Sequence, residues 1–166
     1  MSSSFIKDCL ADALFLLLRE QRIEDIRVPQ ICERAGYHRA SWFRSFHSKS
    51  EAVTYKMVRF WDEWCDAHDV VIRDGFSLDN ADTFFQYNYD IRDTLRLLYR
   101  RGLMNEVQAS FVAILQEQHH DDDVLSYENA VYAYALYGIL REWIVRDFSQ
   151  TPEEMAIIIR RTFSHT

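Results

Sequence analysis

Between residues 26 and 49 the chain reads IRVPQICERAGYHRASWFRSFHSK, two short apolar-periodic segments separated by Gly36. Pro29 suits the first turn of a helix, where its missing N–H is no loss, and Ile31 and Cys32 carry that helix to about Ala35. Gly36 supplies the stop, because a glycine just past the last helical residue takes the left-handed conformation that ends a helix and redirects the chain. The next helix, about Arg39 to Phe46, turns Trp42, Phe43 and Phe46 partly inward and leaves Arg39, Ala40, Ser41, Arg44 and Ser45 on other faces. No Asp or Glu stands between Gly36 and Ser50, whereas Arg39, Arg44 and Lys49 do. Two helices joined by a short Gly-containing turn, the second of them cationic, read as a helix-turn-helix, whose second helix enters the DNA major groove.

Neither short helix is long enough to be stable alone, so the rest of the chain must support them. Ahead of them Ile6, Leu10, Ala13, Leu14 and Leu17 recur with helical spacing, predicting a first helix to about Arg22 whose apolar face covers the pair. Ser48 and Glu51 have the spacing of a capping box and start a long helix with one stripe, Val53, Met57, Phe60, Trp61, Trp64, His68 and Val71. Residues 74–79 read as a loop, and residues 79–102 as one bent helix or two short ones ending at Gly102. A helix from about Leu103 to Gln118 follows, then a polar loop at residues 119–123.

The helix from about Leu125 to Phe148 is apolar on more than one face. Ala130, Val131, Tyr134, Ala135, Gly138 and Ile139 make one surface, and Tyr132, Leu136, Leu140, Trp143 and Ile144 another. Such a helix packs on its own core and on a partner as well. Thr151-Pro152-Glu153-Glu154 then starts the last helix, with Met155, Ile158, Ile159 and Thr162 in one row. The expected fold is all-α: a three-helix helix-turn-helix head at residues 1–48, followed by a helical-bundle body at residues 49–166.

Four Gly and two Pro in 166 residues agree with long helices. No apolar run approaches the roughly 18 residues of a membrane span. The start, MSSSFIKDCL, places an acid where a secretory signal needs an uninterrupted apolar region, so a cytoplasmic location without membrane contact is expected. Cys9, Cys32 and Cys65 form no CxxC pair and read as small buried hydrophobes. The net charge of −7 is uneven: residues 1–50 hold eight Lys or Arg against six acids, and residues 51–166 eleven against twenty. A local basic patch suffices for phosphate binding, since screening removes contributions from charges beyond about 10 Å at 0.1 M salt.

The arrangement resembles the TetR family of bacterial transcriptional regulators, whose N-terminal pattern is close to I-x-x-A-G-V-S-x-x-T-F-Y-x-H-F-x-S-K. Here Ile31, Ala35-Gly36-Tyr37-His38, Ser41-Trp42-Phe43, Phe46 and Ser48-Lys49 carry it, over roughly the first third of the chain. The resemblance implies a homodimer paired through its last two helices, a DNA operator of palindromic form, and a small-molecule effector of unknown identity in the C-terminal core. Resemblance and chemistry together assign Arg39 and Ala40 to base edges, with Arg44 a second candidate, since Arg bonds guanine through two parallel contacts. Arg27, Ser41 and Lys49 are expected on phosphates, and His38 and His47 in either role. Three departures stand out. His38 replaces the usual Ser and removes the best N-cap of the recognition helix, at a cost of about 0.5–2 kcal/mol. Phe43 replaces the Tyr whose hydroxyl commonly reaches a phosphate, and Ser41 stands where Thr is usual.

Nine tyrosines are many for a plain core, because each buried hydroxyl needs a partner. Trp61, Trp64, Phe84, Tyr87, Phe111, Tyr134 and Tyr137 are therefore candidates to line a site for an aromatic or cationic ligand, simple packing being the alternative. Residues 119–123, His-His-Asp-Asp-Asp, hold metal-ligating atoms, but adjacent residues in a loop rarely enclose an ion unaided, and no metal or cofactor is expected. No GxSxG, HExxH, P-loop or dinucleotide fingerprint supports an enzyme. The rival to a DNA-binding regulator is a protein of the same fold that binds another regulator instead of DNA, motivated by His38 and Phe43.

Overall fold

A computed structural model of the chain describes residues 3–71, 78–116 and 123–163. Nine α-helices make up these residues: α1 (Ser3–Glu20), α2 (Val28–Ala35), α3 (Arg39–Ser45), α4 (Lys49–Ala67), α5 (Ala81–Asp90), α6 (Arg92–Arg100), α7 (Met104–Gln116), α8 (Asp123–Val145) and α9 (Pro152–Phe163). The fold is all-α, as expected, and the chain gathers into two compact units.

The first unit comprises the described residues as far as Phe60 together with Leu97–Ser110. Leu10, Leu14, Leu17 and Leu18 of α1 meet Ile26, Ile31, Trp42, Phe46, Val53 and Met57 in its core, all essentially removed from water. Burying side chains of this kind contributes about 1.5–3 kcal/mol each, which is how α2 and α3 persist at eight and seven residues. Polar clasps fix α1 at both ends. Tyr55 of α4 donates its hydroxyl to Asp8 at 2.7 Å; burial and that carboxylate push the phenol up to about 12. Lys56, though 6% exposed, meets Asp12 at 2.9 Å. Arg101 donates to the carbonyls of Leu18 and Arg19 at 2.7 and 3.0 Å, satisfying orphan acceptors at the end of α1.

The second unit comprises Trp61–Arg96 and the chain from Phe111 onward. Here α5 packs on α9, and Arg160 of α9 bonds the Leu78 carbonyl at 3.0 Å and the carboxylate of Asp82. Phe84, Phe85, Phe111, Leu136, Leu140, Trp143, Met155 and Ile159 are buried. The predicted start of α9 is a complete capping box: Glu154 accepts from the Thr151 N–H at 2.8 Å, and the Thr151 hydroxyl accepts from the Glu154 N–H at 3.3 Å.

The structure corrects several boundaries. The stripe drawn to Val71 ends early, because α4 stops at Ala67, Asp69 turns left-handed (φ 53°) and Val71 is exposed. Residues 79–102 resolve into the two-helix alternative, with Ile91 between α5 and α6. Asp123 opens α8 instead of closing a loop, and the rest of that predicted loop, with its two histidines, lies outside the described residues, as do residues 74–77. Of the cysteines, Cys32 is buried, whereas Cys9 and Cys65 are only partly so.

Candidate nucleic-acid interface

The turn between α2 and α3 is built as the glycine predicts. Gly36 lies at φ 74°, and the Tyr37 N–H donates to the Cys32 carbonyl at 2.9 Å, closing α2 with a left-handed cap. At the other end of α2 the Gln30 side-chain oxygen accepts from the Arg27 N–H at 2.7 Å. That cap was legible only as a Gln three residues from a position without a Ser or Thr. His38 precedes α3 and makes no side-chain cap bond, so its imidazole does not stand in for the hydroxyl of a Ser cap.

In α3 and its C-terminal cap the inward positions are Ser41, Trp42 and Phe46, with Ser45 half-buried beside them. Trp42 and Phe46 are 2% and 1% exposed, with ring centroids 5.2 Å apart, and Phe46 meets the Tyr55 ring at 5.6 Å. This inward set leaves His38, Arg39, Ala40, Phe43, Arg44 and His47 exposed. Two expectations change as a result. Phe43 is 69% exposed and does not turn inward, because a step of about 100° from Trp42 carries it past the buried face. Ser41 is buried, with its hydroxyl 3.5 Å from an Arg44 nitrogen, and is not presented to a phosphate.

Arg27 is exposed just before α2. Lys49 is half-buried: its ammonium donates to the carbonyls of Ile23 and Ile26, the second at 2.7 Å. It therefore clasps the turn that leads into α2, a role no motif announced. His47 is almost wholly exposed; its backbone N–H and ring Nδ1 lie 2.7 and 3.1 Å from a Glu51 oxygen. That N–H holds the Glu51 carboxyl below the usual carboxylate range. The predicted Ser48 cap of α4 is present, its Oγ accepting from the Glu51 N–H at 3.0 Å, while the Glu51 carboxylate reaches back to the His47 N–H, one residue before the partner a capping box would use. Across the first unit twelve Lys or Arg face eight acids, whereas the second carries seven against eighteen. The seven-residue α3 is about 10 Å long, enough to face about three base-pair steps.

In the second unit five of the seven candidate ligand residues gather into ring clusters. Trp61 stacks on Trp64, both meet Tyr87 edge-on at 5.0 and 5.8 Å, and Trp64 stacks on His68 at 4.1 Å. Burial raises the Tyr87 phenol. Phe84 and Phe111 meet at 5.5 Å. Trp64 and His68, with Asp82, Thr83, Gln86 and Glu153, also line a groove of about 380 Å³. Tyr134 does not join them: it is 63% exposed, on the same side of α8 as Val131. Tyr137 is half-buried on α8. Among the described residues no three His, Cys, Asp or Glu side chains converge as for a metal, and no helix is long and apolar enough to cross a membrane.

A glycine-hinged pair of short helices on a three-helix core, continued by an all-helical body, defines the class of helix-turn-helix regulators. A family model described as a transcriptional regulator C-terminal region, of the TetR type, matches residues 80–165. The chain belongs to the TetR family of transcriptional regulators. No curated protein matches it at a significant level.

Proposed function

We propose that the chain is a ligand-responsive repressor that binds a palindromic operator as a homodimer, one α3 in each of two successive major-groove turns. One observation carries the reading: the outward side of α3 is cationic and free of acids, within a unit whose charge is opposite in sign to that of the rest of the chain. Arg39 and Arg44 are assigned to guanine edges, Ala40 to a base edge and Arg27 to a phosphate, with Lys49 close to the backbone while it holds its turn. His38 and His47 extend the contact strip. Where the operator overlaps the promoter, such occupancy represses.

Dimerisation is assigned to the outer sides of α8 and α9. Tyr127, Val131, Tyr134 and Val145 form an exposed strip along α8, and Ile157 and Ile158 are exposed on α9. Gly138 lies within the strip, with nothing within 4 Å of the place its Cβ would take, so a second helix can approach closely there. The aromatic clusters and the groove beside Trp64, with Asp82 and Glu153 on its wall, suit an aromatic or cationic effector. Such an effector changes operator affinity only as far as it prefers one arrangement of the dimer over another.

Exposed Phe43 and uncapped His38 also favour a second reading, a co-regulator that docks on protein. Selection of bound fragments from a random duplex pool separates the two. The DNA reading predicts enrichment of a two-fold symmetric site with half-sites about 34–36 Å, or a multiple of that, apart. Recovery of no sequence above background favours the co-regulator.

A further inference from the structure

We infer that Phe43 is a specificity-determining residue whose ring packs on the C5-methyl group of a thymine in each half-site. The inference rests on the DNA reading above and goes beyond it by naming a base. The phenyl ring is 69% exposed in a strip otherwise made of His38, Arg39, Ala40, Arg44 and His47. It carries no hydroxyl, so it cannot bond a phosphate oxygen. An apolar ring held out among cations gains only where an apolar partner covers it. On the edges that bases present in the major groove, the thymine methyl is that partner. Ala40, three positions earlier and also exposed, widens the apolar spot.

The neighbours fix what stands beside the thymine. Arg39 lies one turn before Phe43 on the same side, and Arg44 adjoins it, so both guanidinium groups reach for base pairs flanking the one the ring covers. Four residues of helix rise about 6 Å, on the order of two base-pair steps. The half-site therefore combines a thymine with guanine about two steps away. The cationic, acid-free surroundings of the ring favour this occupant over an apolar protein surface.

The test replaces thymine by deoxyuridine, which removes the methyl and leaves base pairing intact. Duplexes recovered by the wild-type protein are resynthesised with deoxyuridine at each thymine in turn, in both half-sites together, and binding is read by fluorescence anisotropy. At one position per half-site the substitution weakens wild-type binding by about fourfold per methyl, roughly fifteenfold for the pair. Phe43→Ala, folded by circular dichroism, binds thymine and deoxyuridine duplexes alike, and Phe43→Tyr retains the preference. Equal binding of every deoxyuridine duplex by the wild-type protein overturns the inference while leaving the DNA reading intact, and so does a preference that survives in Phe43→Ala. Failure of the folded protein to recover any duplex overturns the DNA reading, and this inference with it.

Discussion

If α8 and α9 pair two copies as proposed, combining Val131→Asp with Ile158→Asp is expected to give a monomer and to lower operator affinity by at least about a hundredfold. Val131 is 62% and Ile158 43% exposed in the single chain, so neither belongs to the fully buried core, although Ile158 borders Trp143 and Met155. At a helix–helix interface the same carboxylates would be buried without partners, each losing its hydrogen bonds to water. Two linked heads bind one duplex with an effective concentration that a lone head lacks, which is the source of the hundredfold. Sedimentation velocity and gel shifts on the same preparations check the prediction, with the thermal melt expected to move little. A double variant that stays dimeric would place the interface elsewhere.

Arg39→Ala is expected to relax preference at one base pair per half-site, by about 1–3 kcal/mol or roughly 5- to 150-fold, with little change in stability. The residue is exposed and makes no contact that α3 needs. Lys49→Ala acts differently. Its ammonium holds the Ile23 and Ile26 carbonyls, so its loss frees two acceptors at the entrance to α2, lowers the melting temperature and weakens all sites alike. Competition binding against a library of single-base operator variants distinguishes the two. Equal loss of preference in both variants would contradict the division between base-reading and positioning residues.

How far the sequence foretold these positions depended on whether a local rule governed them. Gly36, Gly102 and the Thr151–Glu154 box were legible because left-handed caps and reciprocal N-caps are properties of a few neighbouring residues. The core face of α1 was legible from its spacing. Within α3, periodicity marked Trp42 and Phe46 correctly but could not rank three aromatics over barely two turns, and the packing of Trp42 and Phe46 decided that Phe43 points to solvent and Ser41 does not. The Lys49 clasp spans 23 and 26 residues of sequence, and the Arg101 clasp on α1 over 80, so no window of the chain contained either. Tyr134 illustrates the same limit on α8: aromatic content suggested a ligand site, but only the fold shows which side of a helix apolar all round meets its own core.

The central claim, that two α3 helices and their flanking cations grip one duplex, is tested most directly by the salt dependence of binding to the selected operator. Titrations by fluorescence anisotropy between about 50 and about 200 mM salt are predicted to give log K against log[salt] with a slope near −5, as about six phosphate contacts require. A flat response would contradict it and would turn the cationic face of α3 into a surface for some other partner.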